Sequence, residues 1–184
     1  MCDIKLETKR LIIRPYKKKD LPEYHKLFSD KQNMYYLRRL ITNTVEESRE
    51  SLQNTIEEIK SGKARRFAIA LKENENDKLI GGIGYDIKKE TPIGKIGHMG
   101  WFIMPEYQNK GYMTEAAKKV LEFAFLHDNC VRMETGCYKD NIPTQKVMAK
   151  VGFRKEAEKI KASWHDGQMK DRREFAINKD EYKI

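Results

Sequence analysis

The 184-residue sequence predicts an α+β fold, one mixed sheet of about seven strands with about four helices. Three observations carry that prediction. Strand-like runs crowd the first half and are joined by short polar turns, which calls for antiparallel pairing. From residue 96 the order becomes strand, helix, strand, helix, and two strands joined through a helix demand a parallel pair with a right-handed crossover. No repeat, low-complexity tract or linker interrupts the chain, so residues 1–184 are expected to form a single domain long enough to bury a core.

The elements follow in order. LETKRLIIRPY (6–16) reads as the first strand, stopped at Pro15. In KKDLPEYHKLFSD (18–30), Leu21, Tyr24, Leu27 and Phe28 recur at helical spacing, and Asp20 ahead of Pro22 signals a helix start. TVEESRESLQNTIEEIKSG (44–62) is a second helix, with Thr44 and Glu47 as a capping box and Gly62 at the exit. ARRFAIALKE and KLIGGIGYDIKK then form an antiparallel hairpin across the turn NEND, and KIGHMGWFIM is the next strand. A strand at 96–104, a helix at 113–127, a strand at 131–138 and a helix at 142–151 build the parallel middle. GFRKEAEKIKASWHDGQMKDRREFAINKDEY closes the chain with two strands around HDG.

Composition narrows the function classes. The chain is 39% hydrophobic and 35% charged, yet its apolar residues recur in ordered patterns, which argues against disorder. No apolar run reaches the ~20 residues of a membrane helix, and the start MCDIKLETKR lacks the apolar segment of a signal peptide. Cys2, Cys130 and Cys137 are odd in number and have no metal-like spacing, so they read as reduced thiols of a cytoplasmic protein without a metal. Lys plus Arg is 37 against 28 for Asp plus Glu, a net charge of +9. That balance favours anionic partners, whether nucleic acid, acidic protein or a phosphate-bearing cofactor. The basic residues are scattered, KKK at 17–19 being the longest run, and no basic stripe, helix-turn-helix spacing or aromatic RNA-binding motif supports nucleic acid.

The junction YQNKGYMTEA (107–116) is the most informative stretch. It sets Gln108, Asn109, Lys110 and Gly111 between a strand and a helix, with no acid until Glu115. Pro105 ends the strand because it offers no amide to a ladder. Unpaired amides and positive partial charge at the helix start suit phosphate oxygens. On spacing alone the stretch reads equally as an ordinary strand-to-helix turn containing glycine.

MPEYQNKGYMTEA resembles the acyl-CoA binding motif of the GNAT acetyltransferases, a Gln/Arg-x-x-Gly-x-Gly/Ala loop in which Gln108, Gly111 and Met113 hold the pattern positions. LETKRLIIRPYKKKDL (6–21), NIPTQKVMAKVGF (141–153) and GQMKDRREFAINKDEY (167–182) are similar to the RimJ/RimL-type branch, so the likeness spans nearly the whole chain in order. It implies the acyl-CoA N-acyltransferase (GNAT) fold, in which the central parallel strands splay apart and acetyl-CoA enters between them. It also implies that the amides of Gln108, Asn109, Lys110, Gly111, Tyr112, Met113 and Thr114 cradle the CoA pyrophosphate. The strand end at Phe102, Ile103 and Met104 then pairs its backbone with the pantetheine arm. Asn141 suits a helix cap, with Pro143 in the first turn, and the resemblance adds a hydrogen bond to that arm. Met113 stands where glycine or alanine is typical; its side chain can turn away while its amide still donates. Lys146 and Lys150 either reach CoA phosphates or line a solvated helix face.

The resemblance further implies direct attack of an amine on the thioester, with a backbone amide of the 96–104 strand meeting the oxyanion. Base candidates are His98 on that strand, whose unperturbed pKa near ~6.5 suits proton abstraction, and Glu134 on the next. Each also reads as a structural side chain, His98 bonded to backbone and Glu134 paired with Lys or Arg. Thr144 stands where this branch often has serine. Met148 stands where some relatives carry a tyrosine proposed to protonate the thiolate, which leaves Thr144 or solvent as the acid. Tyr138 and Tyr35 line either an acceptor pocket or the core. The expected partners are acetyl-CoA and an amine acceptor, a protein N-terminal α-amine or a small molecule, with a homodimer as the assembly. A catalytically silent CoA-binding sensor is the alternative.

Overall fold

Residues 6–16 do not run as one strand. In the computed structural model, which describes residues 4–62, 64–73 and 77–182, they fold into β1 (Leu6–Glu7) and β2 (Leu11–Arg14), paired antiparallel with Leu6 opposite Ile13. The polar Thr8, Lys9 and Arg10 make the turn: the Thr8 amide donates to the Leu11 carbonyl at 3.0 Å, and the Leu11 amide donates to the Thr8 hydroxyl at 2.9 Å. This extra reversal brings the strand count to eight. The others are β3 (Ala64–Leu71), β4 (Leu79–Thr91), β5 (Gly94–Ile103), β6 (Cys130–Tyr138), β7 (Arg154–His165) and β8 (Gln168–Asn178). They form one mixed sheet in the order β1-β2-β3-β4-β5-β6-β8-β7. The helices are α1 (Leu21–Ser29), α2 (Val45–Lys60), α3 (Tyr112–Leu126) and α4 (Ile142–Val151), with short 3-10 turns between elements. Cys2 and residues 74–76 of the expected NEND turn lie outside the described residues. Among the described residues no helix is long and apolar enough to cross a membrane.

Two compact units make up the chain, Met1–Asp86 with Gly100–Val120, and Ile87–Met99 with Leu121–Ile184. In the first, the apolar faces of α1 (Tyr24, Leu27, Phe28) and α2 (Leu52, Ile56) share a buried cluster with Tyr16, Ala68, Leu79 and Met104. Burying that much apolar surface against the sheet is the main stabilising term. Thr44 caps α2 by accepting the Glu47 amide at 3.1 Å, but Glu47 returns its carboxylate to the Asn43 amide, one residue before the position of a capping box. Asp20 stands at the N-cap of α1 with Pro22 in the first turn, as expected, but its side chain makes no cap bond. Its carboxylate instead takes both terminal nitrogens of Arg14, at 2.8 and 2.7 Å, and the Lys17 amide at 2.8 Å. Arg14 is buried, and a buried guanidinium needs a counter-charge more than a helix needs a cap.

In the second unit, β5 and β6 run parallel from Lys95 opposite Cys130 to His98 opposite Glu134, the last pair of that ladder. β6 stays paired with β8 through Tyr138 opposite Arg172, so it keeps one partner along its length and sheds the other midway. Along β6, Met133, Thr135 and Cys137 are buried while Glu134, Gly136 and Tyr138 are half-buried, the alternation of a strand with two different faces. Asp166 and Gly167, at φ 53° and 77°, make the two-residue turn between β7 and β8, a backbone in which glycine is at ease.

Replacing Asp20 by alanine should leave buried Arg14 with only the longer ion pair to Asp77, at 3.4 Å, and lower the unfolding free energy by about 3 kcal/mol, read as a fall in the urea midpoint. An unchanged midpoint would contradict the role given to the Arg14–Asp20 pair.

Candidate functional site

β5 ends at Ile103, a 3-10 turn spans Pro105–Tyr107, and α3 begins at Tyr112. Between them Asn109 and Gly111 are both left-handed, at φ 59° and 80°, so the loop doubles back in two steps and glycine relieves the second. The Glu115 amide is the first of α3 to close a helical bond, to the Gly111 carbonyl at 3.1 Å. Among the described residues, no group accepts from the amides of Asn109, Lys110, Gly111, Tyr112, Met113 or Thr114. Two other helix starts behave differently, since Thr44 fills that role for α2 and Asn141 for α4, whereas α1 has no side-chain cap and follows directly on the 3-10 turn Lys18–Asp20. Six consecutive donors at a helix N-terminus form a positively polarised rim that suits an anion with several oxygens.

Two expectations for this stretch need correction. The Gln108 amide is taken by the Pro105 carbonyl at 3.1 Å, because the 3-10 turn captures it, and its side-chain amide donates to Asn33 Oδ1 at 2.9 Å and to the Ile103 carbonyl at 3.3 Å. The open rim therefore starts at Asn109. Met104 is buried and its amide donates to the Ile80 carbonyl at 2.9 Å, so it has no backbone donor to offer. The Ile103 carbonyl also accepts from Asn33 Nδ2 at 3.3 Å. Phe102 packs its ring on Phe28, centroids 4.9 Å apart. Met113 turns its side chain inward, 6% exposed, while its amide belongs to the open rim.

Behind the rim lies a clasp that sequence reasoning missed. Glu115 Oε1 receives the Thr8 hydroxyl at 2.5 Å and the Arg10 amide at 3.0 Å. Oε2 receives Arg10 Nε at 2.8 Å and Nη2 at 2.7 Å. Arg10 Nη1 donates to the Lys110 carbonyl at 3.0 Å, and the guanidinium covers the Tyr112 ring at 4.5 Å. Burial pushes the Glu115 carboxyl up, but the Thr8 hydroxyl and the Arg10 amide and guanidinium outweigh it and hold the group below its ordinary value. The partners are 105 residues apart, and only Glu115 itself was visible as a signal, as the first acid of the helix.

The second unit carries the other expected residues. His98 and Glu134 are ladder partners and both half-buried, so their side chains emerge side by side on one face. Glu134 Oε1 accepts Arg132 Nε at 2.9 Å, which ties that carboxylate into an ion pair. Arg132 also reaches Glu156, and the Glu156 bond leads in raising the guanidinium above its ordinary value. Asn141 Oδ1 accepts the Thr144 amide at 3.3 Å, the expected cap, while its side-chain NH2 meets no acceptor among the described residues. Gln145 steadies that turn, donating to the Lys139 carbonyl at 2.8 Å and accepting Arg173 Nη1 at 2.6 Å. Tyr138 stacks on His165, centroids 4.5 Å apart, under the Arg172 guanidinium. Tyr35, in the first unit, packs edge-on to Tyr36. Met148 is fully buried, and Lys146 and Lys150 are exposed on α4. Burial pushes the Cys137 thiol up to about 11, so it stays protonated at neutral pH and is a poor nucleophile. Among the described residues no three His, Cys, Asp or Glu side chains gather as metal ligands would.

Comparison with known proteins adds four findings. The family model described as acetyltransferase (GNAT) domain matches residues 10–154. The uncharacterized N-acetyltransferase YnaD of Bacillus subtilis (strain 168) is 31% identical over 178 residues, covering 96% of this chain and 98% of YnaD. A crystal structure of an acetyltransferase (GNAT family) from Bacillus anthracis superposes with a TM-score of 0.82 at 28% identity, covering 96% of this chain and 99% of that one. RimL, the ribosomal L7/L12 α-N-protein acetyltransferase solved in complex with coenzyme A, shares the fold at a TM-score of 0.82 and 19% identity, covering 95% and 98%.

The clasp makes a pH prediction. Because the folded carboxyl of Glu115 sits below its unfolded value, its stabilisation is complete above the unfolded pKa of ~4.3 and is lost as pH falls through the depressed folded value. The melting temperature of the native protein should exceed that of Glu115→Gln by a constant margin between about pH 7 and pH 5, and the margin should shrink below about pH 4. A margin that is undiminished in stronger acid would rule out the ion pair as its source.

Proposed function

This chain belongs to the GNAT acetyltransferase family, and from that premise we propose that it moves an acetyl group from acetyl-CoA to the α-amine of a protein or peptide. The single observation that carries the cofactor half is the run of six open amides from Asn109 to Thr114. A diphosphate supplies enough oxygens for such a rim, and each bond from an amide to a charged acceptor is stronger than one to water. Gly111 and Tyr112 sit at its centre. The resemblance assigns the pantetheine arm to the backbone of Phe102 and Ile103 and to the side chain of Asn141, whose NH2 is open among the described residues.

The acceptor half rests on acid–base arithmetic. At pH 7 an α-amine of pKa ~8 is about one-tenth neutral, whereas a lysine-type amine near ~10.4 is neutral at the ~10⁻³ level or below. In this reading His98 takes a proton directly or through water, and Glu134, engaged by Arg132, is the second candidate. An acceptor that is already partly neutral asks little of such a pair. Thr144 or solvent returns a proton to the departing thiolate, since Met148 has none to give. RimL, whose fold this chain shares, acts on an α-amine, which agrees with this choice. A small-molecule amine is the second reading. The core position of Met148, where some relatives carry an acid, motivates the silent CoA-binding sensor as a third.

Thiol release from acetyl-CoA, followed with a panel of peptides, free amines and polyamines, should show the highest kcat/KM with unblocked peptide N-termini. Silence across the panel, despite a thermal stabilisation of ~2.7 kcal/mol at 100 times Kd of acetyl-CoA, would identify the sensor instead. His98→Ala should lower kcat about 10²-fold with acetyl-CoA affinity nearly unchanged; unaltered turnover removes His98 from the mechanism. Gly111→Val forces a branched side chain into a left-handed backbone, with its Cβ 3.4 Å from Arg10 Nη2, and should weaken acetyl-CoA binding at least tenfold. Retained affinity would mean that the cradle lies elsewhere.

A further inference from the structure

An acid in the first turn of α3 poses a problem for the site just described. Glu115 follows the open amides directly, and an uncompensated carboxylate there would repel the diphosphate those amides are meant to hold. Its two oxygens are instead filled by four donors, three of them from Arg10.

Arg10 does something else with its remaining terminal nitrogen. Nη1 binds the carbonyl of Lys110 at 3.0 Å. That carbonyl and the amide of Gly111 belong to one planar trans peptide, in which C=O and N–H point in opposite directions. Holding the carbonyl toward Arg10 therefore aims the Gly111 amide away from it, toward the open side of the rim. The guanidinium also lies flat over Tyr112, the next residue, which keeps the fork in register with the loop. A lysine could supply the charge but not these simultaneous contacts.

We propose that Arg10 is a positioning residue for the diphosphate loop, neutralising Glu115 and orienting the Lys110–Gly111 peptide so that its amide faces the cofactor phosphates. This rests on the cofactor assignment above. Arg10 acts through the loop and not on the reacting carbonyl, so its removal weakens the grip on the phosphates and leaves the chemistry of the bound complex alone.

The test uses the full chain with two acetyl donors, acetyl-CoA and S-acetylpantetheine, which has the same arm and thioester but no diphosphate. Arg10→Ala should raise the Kd and KM for acetyl-CoA roughly tenfold, keep kcat at saturation, and leave kcat/KM for S-acetylpantetheine within about twofold. Arg10→Lys, which keeps a charge and is the safer variant for folding, should fall between the two on acetyl-CoA alone. Adding Glu115→Gln to Arg10→Ala should recover part of the acetyl-CoA affinity, because the opposing charge is gone. Equal losses on both donors in the alanine and lysine variants would reduce Arg10 to a structural residue and overturn the proposal. Unchanged acetyl-CoA affinity, or a double variant no better than Arg10→Ala, would overturn it too. A native protein that turns over S-acetylpantetheine but gains nothing from the CoA diphosphate would instead remove the cofactor assignment, and this proposal with it.

Discussion

Unpaired backbone donors at the start of α3 are the constraint on which the rest of the candidate site depends. Every helix begins with amides that lack an intrahelical acceptor, and proteins ordinarily cover them with a side chain. Thr44 and Asn141 do so for α2 and α4, but nothing among the described residues does so for α3. Donors left open at a helix start ordinarily fall to water, which a better acceptor can displace. Two left-handed residues, Asn109 and Gly111, hold the loop in that shape, and the clasp between Arg10 and Glu115 keeps the nearest negative charge occupied.

The second unit contributes a different resource, a polar face on an otherwise apolar strand pair. β6 presents Met133, Thr135 and Cys137 inward and Glu134 and Tyr138 on the opposite side, so the alternation of a strand suffices to set titratable groups beside one another. His98 shares that face through the ladder. The parallel pairing stops at this pair, and β6 continues with β8 alone. The buried, protonated Cys137 and the fully buried Met148 offer neither a nucleophile nor an acid, which fits direct transfer to an amine that needs little activation.

Family membership supplies the reaction class, an acetyltransferase, and the fold that carries it. It does not by itself choose the acceptor, since one fold hosts many amine substrates. The choice made here comes from proton chemistry, in which the engaged Glu134 and a single ladder histidine suit an amine that is already partly neutral.

What the sequence determined by itself was whatever depends on near neighbours. Helical spacing placed α1 to α4, the Asp-Gly turn joined β7 to β8, the cap at Asn141 was visible as an Asn ahead of Pro143 in the first turn, and the alternation of strands and helices around 96–151 foretold the parallel pair. The glycine loop was legible for the same reason, as were His98 and Glu134 as candidates on adjacent strands. Only the tertiary structure decided which groups were taken. It split residues 6–16 into a hairpin, gave Asp20 to Arg14 instead of α1, filled the amides of Gln108 and Met104, and set Arg10 against Glu115 across 105 positions. Propensity and pattern act over a few residues, whereas counter-charges and hydrogen-bond partners are assigned by whichever distant groups folding brings within 3 Å or so, and one sequence alone does not encode those distances in any local signal.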